Sequence, residues 1–290
     1  MRVLAVHPEL IVFISRVWQT TCTAVRAGGE AFVIDSPVYP DELDALAGVL
    51  EQAGFPVAGL LVTHGDWDHL LGRLAFPSLS LGCGEATARR LADEPGAAQR
   101  ELRRFDAEQY VAGRAPLALA GVQELPVPGR LALGGADGEG ESESESEGES
   151  EGESEGEGEG EDLPSERELE LHPAGGHTAD GTAYLIPWLR VLVCGDYLSP
   201  VEIPVLAPGG SAEGYLATLE RLAVLIPGTD TVVPGHGAPL AREQALDLLE
   251  QDRAYLRATI RDGVAAPLPA GRASRTQRRI HEANVSALRG

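Results

Sequence analysis

Val57-Ala58-Gly59-Leu60-Leu61-Val62-Thr63-His64-Gly65-Asp66-Trp67-Asp68-His69 is the stretch from which the fold can be read. It opens as an apolar run of strand length and closes with four metal-capable side chains within six residues. Neutral imidazoles and carboxylates together suit zinc, iron or manganese. In an extended segment alternate residues point the same way, which predicts His64, Asp66 and Asp68 on one face. A turn after Asp68 would bring His69 round to the same cavity. Taken alone, the cluster also describes a polar loop after a strand.

Three later segments change that reading. His177 follows Gly175-Gly176, Asp196 ends the run Val191-Leu192-Val193-Cys194-Gly195, and His236 ends Val232-Val233-Pro234-Gly235. Each candidate ligand stands where a buried strand would meet a loop. The glycine beside each lets the backbone turn sharply and approach an ion closely. Seven candidates exceed what one tetrahedral site uses, so two adjacent ions are expected.

In this order and these contexts, His64-x-Asp66-x-Asp68-His69, Gly176-His177-Thr178, Gly195-Asp196 and Gly235-His236-Gly237 resemble the metallo-β-lactamase superfamily. The resemblance runs from about Cys22 to His236. It implies an α+β fold, the four-layer αββα sandwich. It also implies a metallohydrolase akin to glyoxalase II and the lactonases. Carried over residue by residue, the first metal would take His64, Asp66 and His177, the second would take Asp68, His69 and His236, and Asp196 would bridge them. Asp68 would also orient the nucleophile, as the catalytic residue. The family's usual first motif is His-x-His-x-Asp-His, and here Asp66 replaces the second His. A carboxylate makes the first site harder and more negative. The flavodiiron proteins of the same superfamily carry Glu there and hold two irons. The cofactor implied is two divalent metal ions, with zinc first and iron or manganese as alternatives.

Composition frames this reading. At 290 residues with 43% hydrophobic content, the chain can build a substantial core. Cys22, Cys83 and Cys194 are scattered and form no disulfide framework. The N-terminal apolar run is cut by His7, Pro8 and Glu9, unlike a signal peptide, and the following Leu10–Ile14 is too short to span a bilayer. A cytoplasmic protein is expected, which weighs against β-lactams as substrates. The formal net charge of -22 is uneven. Twelve glutamates alternate with Gly or Ser from Glu139 to Glu161, and the remainder carries -10. That run has nothing to bury and repels itself, so a disordered acidic insertion is expected at 137–162. The expected domains are a metallo-β-lactamase-like domain over 1–250, interrupted by this insertion, and a C-terminal helical extension over 251–290.

Periodicity predicts a hairpin of Thr21–Arg26 and Ala31–Asp35, and a helix over Asp41–Ala53 with Asp41 as N-cap. Further strands are predicted over Leu117–Val127, Glu168–His172, Thr182–Ile186, Arg190–Cys194 and Thr231–Val233. Helices are predicted over Glu85–Asp93, Ala98–Phe105, Ser211–Leu225, Arg242–Ile260 and Thr276–Leu288.

No serine stands in a nucleophile elbow, and no glycine-rich stretch continues into a phosphate loop. Arg272, Arg275, Arg278 and Arg279 form either a solvated helix face or a clamp for a substrate anion. The acidic balance opposes nucleic acid as a partner. A small-molecule substrate is expected, with no nucleic acid and no membrane, and the oligomeric state is unknown. Trp18, Trp67 and Tyr197 flank the site in sequence as candidate substrate contacts. The function expected is a binuclear metal-dependent hydrolase whose metal-bridging hydroxide cleaves a small ester, thioester or lactone. The alternative is a di-iron oxygen or nitric oxide reductase-like protein needing a separate electron donor. A metal-stabilised scaffold is the non-enzymatic reading.

Overall fold

The structure is a computed structural model that describes residues 1–134 and 167–289. The acidic insertion expected at 137–162 lies outside them. Strands β1 (Arg2–His7), β2 (Leu10–Ile14), β3 (Thr21–Ala27) and β4 (Glu30–Asp35) form an antiparallel meander. Helix α1 (Pro40–Gln52) then crosses to β5 (Val57–Leu61), parallel to β4. The short α2 (Gly72–Ala75) precedes β6 (Leu81–Gly84). Helices α3 (Glu85–Asp93) and α4 (Ala97–Glu108) precede β7 (Gln123–Leu125), and β6 and β7 continue the parallel order.

The second sheet repeats the scheme. Strands β8 (Gly129–Leu133), β9 (Arg167–Pro173), β10 (Thr182–Ile186) and β11 (Val191–Val193) are antiparallel. Helix α5 (Ala212–Leu225) crosses to β12 (Thr231–Val233), parallel to β11, and β13 (Leu240–Ala241) closes the edge. Helices α6 (Arg242–Asp262) and α7 (Arg275–Ala287) follow. Among the described residues the sheets have seven and six strands, each in sequential order.

Side-chain alternation makes the layers. Leu10, Val12, Ile14, Ile34 and Leu61 of the first sheet meet Leu169, Leu171, Tyr184, Val191 and Val193 of the second in a buried core between them. Their neighbours Ile11, Phe13, Val33 and Leu60 point the other way, onto Leu43, Leu46 and Leu50 of α1 and Leu102 and Phe105 of α4. Leu192, Cys194 and Val232 likewise point out onto Tyr215, Leu219 and Leu222 of α5 and Leu249 and Leu256 of α6. Three apolar interlayers separate four layers, which is the αββα sandwich. Each fully buried Leu or Phe in them contributes about 1.5–3 kcal/mol. Among the described residues no helix is long and apolar enough to cross a membrane.

Several sequence expectations are corrected. Helix α1 begins at Pro40 rather than using Asp41 as its cap. Proline already holds the helical φ at the first position, and the Glu42 carboxylate takes the Tyr39 N–H at 3.1 Å. The single strand expected over Leu117–Val127 shrinks to β7, because Pro126 and Pro128 cannot continue a ladder and β8 belongs to the other sheet. Strands β1 and β2 pair although no strands were assigned there. The division at 250/251 falls inside α6, an unbroken helix whose Leu249 and Leu256 share one core with α5. The C-terminal segment is part of the sandwich.

Candidate metal centre

The strands β5, β11 and β12 all run towards one edge of the sandwich, and the loops that leave them meet there. The two sheets are stitched at this edge. Thr182 donates its N–H to Thr63 O at 2.7 Å, and Thr21 donates its own to Gly235 O at 2.8 Å. The motif loop is not extended as expected. Turns close it, with His69 N–H on Asp66 O at 3.1 Å and Leu70 N–H on Trp67 O at 3.3 Å. Convergence of His64, Asp66, Asp68 and His69 comes from these turns and not from strand alternation.

All seven predicted residues are brought together. His64 Nε2 lies 3.6 Å from Asp66 Oδ2 and 3.8 Å from Asp196 Oδ2. His177 Nε2 lies 3.3 Å from the same two oxygens. His69 Nε2 is 3.7 Å from Asp68 Oδ2 and 3.3 Å from Asp196 Oδ1. His236 Nε2 is 3.8 Å from Asp68 Oδ2 and 3.2 Å from Asp196 Oδ2. Two ligands of one tetrahedral ion with bonds of about 2.0–2.1 Å stand about 3.3 Å apart. His64, Asp66 and His177 form one group that could hold an ion, and Asp68, His69 and His236 form another. Asp196 faces both.

The donor chemistry fits cations. His64 Nε2, His69 Nε2 and Asp196 Oδ1 are buried without a hydrogen-bond partner, and buried polar atoms are rarely left so. In three of the rings the other nitrogen is occupied. His64 Nδ1 is 3.0 Å from Thr63 Oγ1, His177 Nδ1 is 2.9 Å from Val205 O, and His236 Nδ1 is 3.2 Å from Trp18 O. His69 Nδ1 lies 3.0 Å from Asp35 Oδ2, close but poorly aligned for a hydrogen bond. In the neutral rings these oxygens favour the proton on Nδ1 and leave Nε2 facing the centre. A Cβ on Gly235 would overlap Asp196 Oδ1, so glycine is what admits the carboxylate.

Charge follows the same geometry. Burial would raise the Asp196 carboxyl, but His236, His69, His177 and His64 together hold it well below the usual carboxylate range. Burial also opposes ionisation of Asp66, and the neighbouring His177 and His64 rings outweigh it and hold the carboxyl well below the usual range. Burial would lower His236, but Asp196 raises it to about 10.

Three contributors escaped the sequence reading. Asp35, buried at the end of β4 with a left-handed φ of 60°, accepts Thr63 N–H at 2.8 Å and Thr63 Oγ1 at 2.9 Å, and faces His69. Asp180 accepts Gly65 N–H at 2.8 Å. Arg90 of α3 bridges Asp66 and Asp180. A carboxylate ending an apolar strand was the available signal for Asp35, since that rule picked out Asp196. Nothing local marks Arg90.

The aromatic candidates divide. Trp67 lines a cavity of ≈ 540 Å³ that also touches Asp66, Asp68, Arg90, Leu91 and Leu117. Trp18 is half-exposed and packs edge-on against Trp67, 5.7 Å between centroids, and against Phe105. Tyr197 is a correction. It is buried in the α5 core, donates its hydroxyl to Ala174 O at 3.0 Å and accepts from His177 N–H at 3.1 Å. It supports the His177 backbone and does not line a mouth. The arginine clamp is also absent: Arg272 is buried against Asp252 at 2.6 Å, while Arg275, Arg278 and Arg279 are exposed.

The C-terminal helix reaches the centre indirectly. Gln277 accepts Ile203 N–H at 2.8 Å, and Asn284 accepts Leu206 N–H at 2.9 Å while donating to Pro204 O at 2.6 Å. Those three residues bracket Val205, whose carbonyl orients His177.

Comparison with known proteins agrees with the geometry. The family model described as the metallo-beta-lactamase superfamily matches residues 15–79 and 96–236. The chain belongs to that superfamily, most of whose members are metal-dependent hydrolases. Its fold is similar to the metallo-beta-lactamase family protein TTHA1429 from Thermus thermophilus. That likeness has 18% identity and a TM-score of 0.62, and covers 98% of this chain and 93% of that one. The metallo-beta-lactamase from Pontibacter korlensis is 16% identical with a TM-score of 0.56, over 86% of this chain and 98% of that one. TTHA1623, solved in a di-iron-bound form, is 20% identical with a TM-score of 0.55, over 81% of this chain and 96% of that one. Among curated proteins none matches.

Proposed function

We propose that the protein is a binuclear metal-dependent hydrolase of a small ester, thioester or lactone. The observation that carries this reading is the convergence of four Nε2 atoms on Asp196, with three buried atoms of that group left without partners. The first ion would be held by His64, Asp66 and His177, the second by Asp68, His69 and His236, and Asp196 would join them. Bound cations supply acidified water and a polarised carbonyl at such a centre.

The chain's own residues do the rest. Asp68, whose Oδ2 takes a weak 3.5 Å contact from Thr20 Oγ1, opens onto the cavity and is placed to orient the attacking water. Trp67, Leu91, Leu117 and Leu119 give that cavity apolar walls, which suit the hydrocarbon part of an acyl group. Glu94 and Glu101 lie along it too, and the Arg90 guanidinium is already engaged by two carboxylates. This balance favours a neutral acyl group over an anionic one. A small-molecule substrate, with no nucleic acid or membrane partner, remains the reading, and a cytoplasmic location is proposed with it.

Asp66 favours one second reading, a di-iron redox protein served by a separate electron donor. A carboxylate is a harder ligand than imidazole, and one structure of similar fold is di-iron-bound. The experiment is metal analysis of protein purified without added metal, followed by a panel of neutral and anionic esters, lactones and thioesters. Hydrolysis of a neutral substrate with two ions per chain is expected. Oxygen or nitric oxide reduction by the iron-loaded protein, with no hydrolysis, would replace it by the second reading.

A further inference from the structure

Asp66 is where this chain departs from the usual motif, and Arg90 is what faces it. Resting on the metal-centre reading above, we propose that Arg90 is a positioning residue that makes Asp66 serviceable as a single-point metal ligand in place of histidine.

The guanidinium forks between two carboxylates. Its Nη2 donates to Asp66 Oδ1 at 2.7 Å and its Nη1 to Asp180 Oδ1 at 2.8 Å. Asp180 is buried, and its other oxygen accepts Gly65 N–H from the motif loop at 2.8 Å. Gly65 leaves the fork its space: a Cβ there would stand 3.2 Å from Asp180 Oδ2 and 3.4 Å from the Arg90 side chain. The network is therefore closed, running from motif loop to Asp180 to Arg90 and back to Asp66.

Two consequences follow for the ligand. A free carboxylate can offer either oxygen, or both, to a cation. With Oδ1 held by Arg90, only Oδ2 turns towards His177 and His64, at 3.3 and 3.6 Å. Asp66 then fills one coordination place, as an imidazole would. The guanidinium also returns the positive charge that exchanging a neutral imidazole for a carboxylate removes.

The same fork makes the position resistant to reversion. An imidazole binding a cation through one nitrogen carries a proton on the other. In Asp66→His that N–H would meet the Arg90 donor, two donors face to face in a partly buried place.

The test is a double-mutant cycle read by calorimetric zinc titration of metal-free protein, with circular dichroism as the check on folding. Loss of an outer partner typically weakens metal binding about 10–100-fold. Arg90→Gln is expected to weaken the first ion by that order and to leave the second within about threefold. Asp66→His alone is expected to weaken the first ion similarly. The double variant is expected to regain at least about tenfold over Asp66→His, because the opposing donor is gone. Should Arg90→Gln not fold, Arg90→Lys decides, since it keeps the charge and loses the fork. It is expected to weaken the first ion alone. A wild type that binds two ions, with either Arg90 variant titrating like it or with losses that simply multiply in the double variant, overturns the assignment of Arg90. A wild type that binds fewer than two ions overturns the metal-centre reading and this one with it.

Discussion

The two halves of the sandwich build their shares of the centre differently. The first half delivers His64, Asp66, Asp68 and His69 from one loop after β5, closed by its own turns. The second half delivers His177, Asp196 and His236 from three loops. His177 is aimed by Val205 and His236 by Trp18, contacts that span 28 and 218 residues. A compact motif carries much of its geometry in its own sequence. A dispersed set depends on the finished fold. Changes in the first half should therefore act mainly on coordination, and changes in the second on assembly.

Asp196 is the sharpest place to break this contrast, because it belongs to the second half yet faces the ligands of both groups. Asp196→Ala should take the protein from two ions per chain to nearly none by elemental analysis. Retention of one ion would mean that each half holds its own.

Acidity gives the next effect. His236 is raised to about 10 by Asp196 against the opposing effect of burial. In metal-free protein it contributes stability that is fully present below its ordinary value of 6.5 and lost as pH rises through about 10. A metal needs the neutral ring, so binding between pH 7 and 9 should release about one proton from His236, and affinity should climb by up to about tenfold per pH unit. Titration in two buffers of different ionisation enthalpy measures that release. A pH-independent affinity would contradict the close pairing of His236 with Asp196.

Asp35 tests how far the motif loop holds its own geometry. It lies on β4, outside the motif loop, yet holds Thr63 and faces His69. Asp35→Ala should weaken the second ion about 10–100-fold with the first less affected. Equal loss at both would mean that the loop as a whole has moved. The smallest effect is expected on the other side of the comparison. Asn284→Ala frees the segment around Val205 and leaves buried backbone groups unpaired, at a cost of about 1–3 kcal/mol. A lowered melting temperature with only a few-fold loss of the first ion is the expected result. An unchanged melting temperature would remove α7 from the assembly of His177.

The same contrast explains what could be read in advance. The seven candidates could be gathered from the sequence by local signals: His64 closes an apolar run, Asp66, His177, Asp196 and His236 each follow a glycine, and Asp68 and His69 fall within six residues of His64. The layers were expected from the family resemblance, whereas Leu10–Ile14 is apolar throughout and shows in sequence no sign of the alternation by which it faces two cores. Arg90 was not legible: its partners Asp66 and Asp180 lie 24 and 90 residues away. Tyr197 was misread because nearness in sequence was taken for nearness to a cavity. Asp196 points into the centre, and its neighbour points the opposite way, into the core against Tyr215. The two sheets also meet at hydrogen bonds, Thr63 to Thr182 and Thr21 to Gly235, that no local pattern announces.

The grip of α7 on residues 203–206 has a consequence in time. A chain leaves the ribosome N-terminus first, at about 5–20 residues per second. The motif loop can close early, while Gln277 and Asn284 emerge about a hundred residues after His177. Until they arrive, the segment carrying that carbonyl lacks its α7 hydrogen bonds and keeps only local ones, such as Ala207 N–H to His177 O at 2.9 Å. A nascent chain released before residue 284 would present a centre with His69 already set against Asp35 and with the carbonyl partner of His177 less firmly held. Synthesis order thus makes the first ligand group, His64 with Asp66 and His177, the last to become competent.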